Sequence, residues 1–94
     1  MITLSTQDTN RIQVFKNQVS AELGAACTVR LVGKVSGVEV QASAPVQHLT
    51  TCYILTLPAE ADLETVGMNA TLEVWHEGVV VYESEAFIVT YSLN

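Results

Sequence analysis

The chain has 94 residues, 49 % hydrophobic and 15 % charged, with a formal net charge of −6. That length fits one domain with one modest core, since a chain of this size buries roughly 60–65 % of its unfolded surface. The acidic balance argues against nucleic-acid binding, which needs clustered Lys and Arg, and apolar runs such as residues 79–82 fall far short of a membrane span.

The low charge content leaves less polar coating than a free monomer usually carries, which favours a surface partly covered by neighbours. All four bases, Arg11, Lys16, Arg30 and Lys34, lie in the first 34 positions, against Asp8 and Glu22. From Val35 onward there are eight acids and no base. In a short chain this can be chance. The alternative is a molecule that docks in a fixed orientation on a complementary surface, its own copy included, with Arg11, Arg30 and Lys34 as contacts.

Taken in order, residues 2–4 form a short first strand and residues 5–10 a polar turn. Ile12 and Val14 alternate with Gln13 and Phe15 in a second strand. Residues 17–26 fit either a loop or a helical turn through residues 21–23, capped by Ser20 and ended by Gly24. Cys27, Val29 and Leu31 alternate with Thr28, Arg30 and Val32 in a third strand. The turn after it falls at Gly33-Lys34 or at Ser36-Gly37. Val38, Val40 and Ala42 alternate with Glu39, Gln41 and Ser43, a half-exposed strand that ends near Pro45 or lies on an edge.

Residues 48–57 make the longest strand candidate, with Leu49, Thr51, Tyr53, Leu55 and Leu57 on one face and Pro58 as its end. Residues 59–65 are an acidic connection with room for one helical turn, closed by Gly67. Ala70, Leu72 and Val74 alternate with Thr71, Glu73 and Trp75. His76-Glu77-Gly78 follows, a tight hairpin with a bulge in which Gly78 takes a positive φ. Residues 79–82 form a strand covered on both faces, or one whose outer face meets a partner. Glu83-Ser84-Glu85 interrupts the pattern before a last strand over residues 86–93.

Seven or eight short strands with little helix between them predict an all-β domain over residues 1–94. The architecture expected is a small antiparallel β-sandwich, Ig-like in outline, or a partly closed barrel. The usual immunoglobulin Cys…Trp…Cys order is absent, because both cysteines precede Trp75.

No residue set carries recognisable chemistry, so no catalytic, cofactor or metal residues are assigned and the protein is not read as an enzyme. His48 and His76 lie 28 positions apart in sequence, and a metal site needs three or four convergent ligands. Glu60, Asp62 and Glu64 look like a cation site only superficially; a solvated acidic connection is the simpler reading. Cys27 and Cys52 read as buried small hydrophobes, with a disulfide across the sandwich as the alternative. Trp75 is either a lid over the sandwich end or a partner anchor, and Val80 and Tyr82, two apart on the next strand, would extend its patch. Phe15, Tyr53, Phe87 and Tyr91 look committed to strand faces.

The opening MITLSTQDTNRIQVF and the closing LPAEADLETVGMNATLEVWHEGVVVYESEAFIVTYS resemble the ends of small β-sandwich accessory virion proteins of tailed bacteriophages. Those often begin with a strand, a Ser/Thr/Asn turn and a second strand. They close with a Leu-Pro connection, a Gly-bearing hairpin and a short last strand. The resemblance covers about half the chain at the level of pattern. It implies a capsid decoration (cement) protein, or a head–tail or tail component, whose partners are the major capsid protein, other virion proteins or its own copies. It supplies no catalytic residues. With no basic stretch and apolar core at its start, the chain is expected to be made in the host cytoplasm or already processed, and then carried on the virion. A reading from a different class is a small ligand- or receptor-binding module for carbohydrate or a host surface.

Overall fold

The computed structural model describes residues 1–59 and 61–93. Two-residue alternation of apolar side chains produces seven strands: β1 (Ile2–Ser5), β2 (Asn10–Phe15), β3 (Ala26–Gly33), β4 (Glu39–His48), β5 (Cys52–Leu57), β6 (Asn69–His76) and β7 (Val79–Val89). β2 buries Asn10, Ile12 and Val14 and exposes the residues between them. β3 buries Cys27, Val29 and Leu31, and β6 buries Ala70, Leu72 and Val74.

The strands form one seven-stranded sheet in the order β1-β7-β6-β3-β4-β5-β2, curled until it nearly closes. β1 runs parallel to β7, from Ile2 opposite Ala86 to Ser5 opposite Val89. The other pairs are antiparallel. Of the two architectures expected, the partly closed barrel is the one found, with β2 and β5 on one side, β3, β6 and β7 on the other, and β4 pairing with both β3 and β5.

Pro45 does not end β4. Residues 39–45 of that strand pair with β3, and Val46, Gln47 and His48 pair with β5. Leu49 N–H donates to the Cys52 carbonyl. With the β4–β5 register this points the backbone polar groups of odd-numbered residues toward β5. The N–H that Pro45 lacks would therefore have faced β5, so the proline interrupts that ladder and leaves the one to β3 whole.

Between β2 and β1 the gap is spanned by a side chain. Asn10 Oδ1 accepts the Ser5 N–H at 2.9 Å, and Asn10 Nδ2 donates to the Ser5 carbonyl at 3.0 Å and to the Asp8 carbonyl at 3.3 Å. The Asn10 amide thus does for Ser5 what a neighbouring strand's peptide group would. The core between the layers holds Leu4, Ile12, Leu23, Leu31, Leu55, Leu57, Leu63, Val66, Leu72 and their buried neighbours. Full burial of such a side chain contributes roughly 1.5–3 kcal/mol.

Of the two readings of residues 17–26, the loop is the one found: the helical turn after β2 lies at Lys16–Gln18, ahead of Ser20, and Leu23 enters the core beside the Tyr53 hydroxyl, which accepts its N–H. Other expectations are corrected. Residues 48–57 are not one strand: His48 ends β4, Leu49 is 41 % exposed, and a short connection precedes Cys52. β7 runs unbroken through Glu83-Ser84-Glu85, where the two glutamates are exposed and Ser84 sits opposite buried Leu72. It stops at Val89, so residues 90–93 lie outside the strand. The turn after β3 uses Gly37, with φ 71°. A turn at residues 64–66 is closed by Gly67, as expected. At the β6–β7 hairpin both Glu77 (φ 52°) and Gly78 (φ 79°) are left-handed, the signature of a two-residue type I′ turn. The bulge lies farther along, at Val81.

Candidate interaction surfaces

The outer face of β6 carries Thr71, Glu73 and Trp75, opposite Val32, Arg30 and Thr28 of β3. Arg30 is held between two carboxylates: Glu73 Oε1 at 2.7 Å and Glu39 Oε1 at 2.5 Å. Trp75 Nε1 donates to the same Glu73 oxygen at 3.1 Å. The hydrogen bonds from Arg30 and then Trp75 hold the Glu73 carboxyl below the usual carboxylate range, and the Glu73 bond raises the Arg30 guanidinium further above its ordinary value. Glu83 lies directly across from Glu73 on β7, a like-charge pairing that Arg30 on the opposite flank offsets. Thr28, Arg30, Glu39, Gln41, Trp75, Glu77 and Gly78 surround a hollow of about 560 Å³.

The six predicted contact residues do not form one patch. Trp75, Val80 and Arg30 come together: Val80 pairs with Trp75, itself half-buried. Tyr82 parts from them, because the bulge at Val81 sets it opposite Val74 and packs it against the core. Arg11 lies on β2 opposite Thr56, with its Nη2 3.3 Å from Gln47 Oε1. Lys34, in the turn after β3, forms an ion pair with Glu85. The basic first third and acidic remainder thus neutralise each other within the chain, in surface ion pairs of Arg30 with Glu39 and Glu73 and of Lys34 with Glu85. The charge asymmetry of the sequence does not become a matching asymmetry of the surface at those residues.

The opposite end carries a surface that strand patterns missed. Val35 is 96 % exposed, Met68 62 % and Tyr91 62 %. Met68 and Gly67 line two adjoining hollows. One, of about 310 Å³, continues along Leu63, Phe87, Val89 and Tyr91; the other, of about 340 Å³, reaches Val35 and Val66. The sequence signal was available: Val35 and Met68 are apolar residues placed in turns, where nothing in the fold requires them. Phe15, 47 % exposed, and Tyr91 are likewise not taken up by the interior, whereas Tyr53 is buried.

Both cysteines are buried and free. Cys27 belongs to the core, and Cys52 lies against the Gln13 amide. His48 Nε2 is 2.8 Å from the Gly24 carbonyl, and its ring meets Tyr53 edge-on. Asp62 and Glu64 are exposed, and Glu60 lies outside the described residues. Among the described residues no three His, Cys, Asp or Glu side chains converge as a metal site would require. Among the described residues no helix is long and apolar enough to cross a membrane. No protein-family model, curated protein or solved structure matches the chain.

Proposed function

We propose that the protein is an accessory structural component that fastens neighbouring protein subunits of a larger assembly, as a decoration protein does on the major capsid protein of a tailed bacteriophage. The observation that carries the reading is the apolar end, where Val35, Met68 and Tyr91 stand in solvent around two hollows. Contiguous exposed apolar surface of this kind marks contact sites on small domains. Covering each such side chain is worth at most ~1.5–3 kcal/mol before ordering costs, so a single contact is weak and a repeating lattice supplies avidity. The Trp75 hollow lies toward the other end. Five residue steps along β3, from Thr28 to Gly33, separate the Trp75 and Ala70 levels, or about 17 Å at strand rise, so one domain presents two separated contact regions. The resemblance at both chain ends supplies the phage setting.

The test is co-sedimentation with particles purified from cells that make this chain. The wild type travels with the particles at fixed stoichiometry, and Met68→Glu, exposed and neutral to folding, is lost from them. Absence of the wild type from washed particles would remove the proposal. One observation favours a second reading, a carbohydrate-binding module: Trp75 borders a hollow with Arg30, Glu39 and Gln41. Glycan-array binding that disappears in Trp75→Ala would select it.

A further inference from the structure

Where β4 leaves β5, its outer edge is open. Gly33 N–H bonds the Val38 carbonyl and Val46 N–H bonds the Ala25 carbonyl, each at 2.9 Å. With the β3–β4 register, this assigns the even-numbered β4 residues to the β3 ladder. Glu39, Gln41 and Ser43 therefore turn their N–H and C=O groups away from β3. β5 pairs with β4 only at residues 46–48, so among the described residues no strand meets these groups.

The side chains on the same strand are also unfinished. Val38, Val40 and Ala42 point toward the core yet remain only partly buried, whereas Val29 and Leu31 of β3 are 1 % exposed. The outward side chains, Glu39, Gln41 and Ser43, are exposed and carry no positive charge. Arg30, the nearby cation, is already occupied by Glu39 and Glu73, and Glu77 adds a further acid to the rim of the hollow. Lysines or a strong twist usually blunt an exposed edge; here Pro45 blocks one end alone.

We infer that the open edge of β4 accepts an extended segment of a partner protein as an added strand, one that alternates basic and apolar side chains. Its backbone completes the ladder along residues 39–43, about 17 Å of strand. Its apolar side chains cover Val38, Val40 and Ala42. Its basic side chains face outward beside Glu39 and the acidic hollow. The inference goes beyond the bridging reading above: it concerns a different part of the surface and is tested without any assembly.

The probe is the peptide acetyl-Lys-Val-Lys-Val-Lys-Val-amide, with a Glu-for-Lys analogue as control, followed by amide hydrogen exchange on the full chain. Exchange at Glu39, Gln41 and Ser43 slows at least tenfold at saturation, while Val40 and Ala42, already in the β3 ladder, change little. The acidic analogue binds at least tenfold more weakly. Gln41→Pro removes an outward N–H without touching the β3 ladder and abolishes binding. Should that variant not fold, Glu39→Lys serves instead and reverses the preference between the two peptides. The inference is overturned by no saturable change at β4 up to millimolar peptide, by equal affinity for both peptides, or by dimerisation of the free chain through β4, which would make a second copy the occupant.

Discussion

Asn10→Ala tests how the nearly closed sheet is held at its seam. Ser5 is fully buried and Asn10 is 7 % exposed, so water does not reach the Ser5 peptide groups that face β2. Truncation removes the 2.9 Å bond to Ser5 N–H and the 3.0 Å bond from the amide to the Ser5 carbonyl. Each group left unpaired costs about 1–3 kcal/mol. Partial entry of water into the vacated space brings the sum to roughly 2–4 kcal/mol, a Tm fall on the order of 10–25 °C for a domain of this size. Asn10→Asp keeps an acceptor for Ser5 N–H but sets a carboxylate against the Ser5 and Asp8 carbonyls. Its folded pKa is therefore raised: stability is retained below the unfolded carboxylate value near pH 3.9 and lost as pH rises through the folded value. Urea denaturation at pH 7 and pH 4 reads both effects, with Thr50→Ala, at an exposed position of the β4–β5 connection, as the near-neutral control. An Asn10→Ala variant within ~0.5 kcal/mol of wild type would refute the account of the seam.

Gly33 sits so close to Ser36 Oγ and the Val66 carbonyl that an added Cβ would collide with both. Gly33→Ala is therefore expected to lose about 1–3 kcal/mol by chemical denaturation, while Gly24→Ala, with its nearest neighbour 4.0 Å away, gains about 0.4–1 kcal/mol. The Arg30 and Lys34 hydrogen bonds hold the Glu73 and Glu85 carboxyls, respectively, below the ordinary glutamate value of 4.5. Their contribution is present above that unfolded value and disappears as pH falls through the folded ones. Denaturant midpoints should drop on acidification below about pH 4.5, and less so in Arg30→Gln. Burial pushes the Cys27 thiol up to about 11. A thiol reagent at pH 8 should thus label it far more slowly than in urea, and stability should decline between the unfolded thiol value near 9 and pH 11.

The strands were legible where alternation was strict. Ile12 and Val14, the β3 set and the β6 set all entered the core as their spacing required. Legibility failed where tertiary context overrode local signals. Leu49-Thr50-Thr51 contains no Gly, Pro or Asn, so nothing local marked the β4–β5 connection. Pro45 could mark either a strand end or an edge, and the choice depends on which neighbour its missing N–H faces. Glu83-Ser84-Glu85 looked like a break, but two exposed acids flanking Ser84 are ordinary alternation once β6 is in place. The bulge at Val81, which parts Val80 from Tyr82, is a property of the pair of strands. For the contact surface, Trp75 and Arg30 could be singled out from sequence. The pairing of early bases with late acids could not, because it depends on strand order. The Val35–Met68–Tyr91 end joins two connections and the segment after β7, which only the fold brings together.

Electron cryomicroscopy of particles purified from cells that make this chain would test the bridging role most directly. The account predicts seven-stranded domains seated at junctions between shell subunits, with Met68 and Tyr91 turned into the contact. Particles devoid of such density, or domains attached with that end facing solvent, would contradict it.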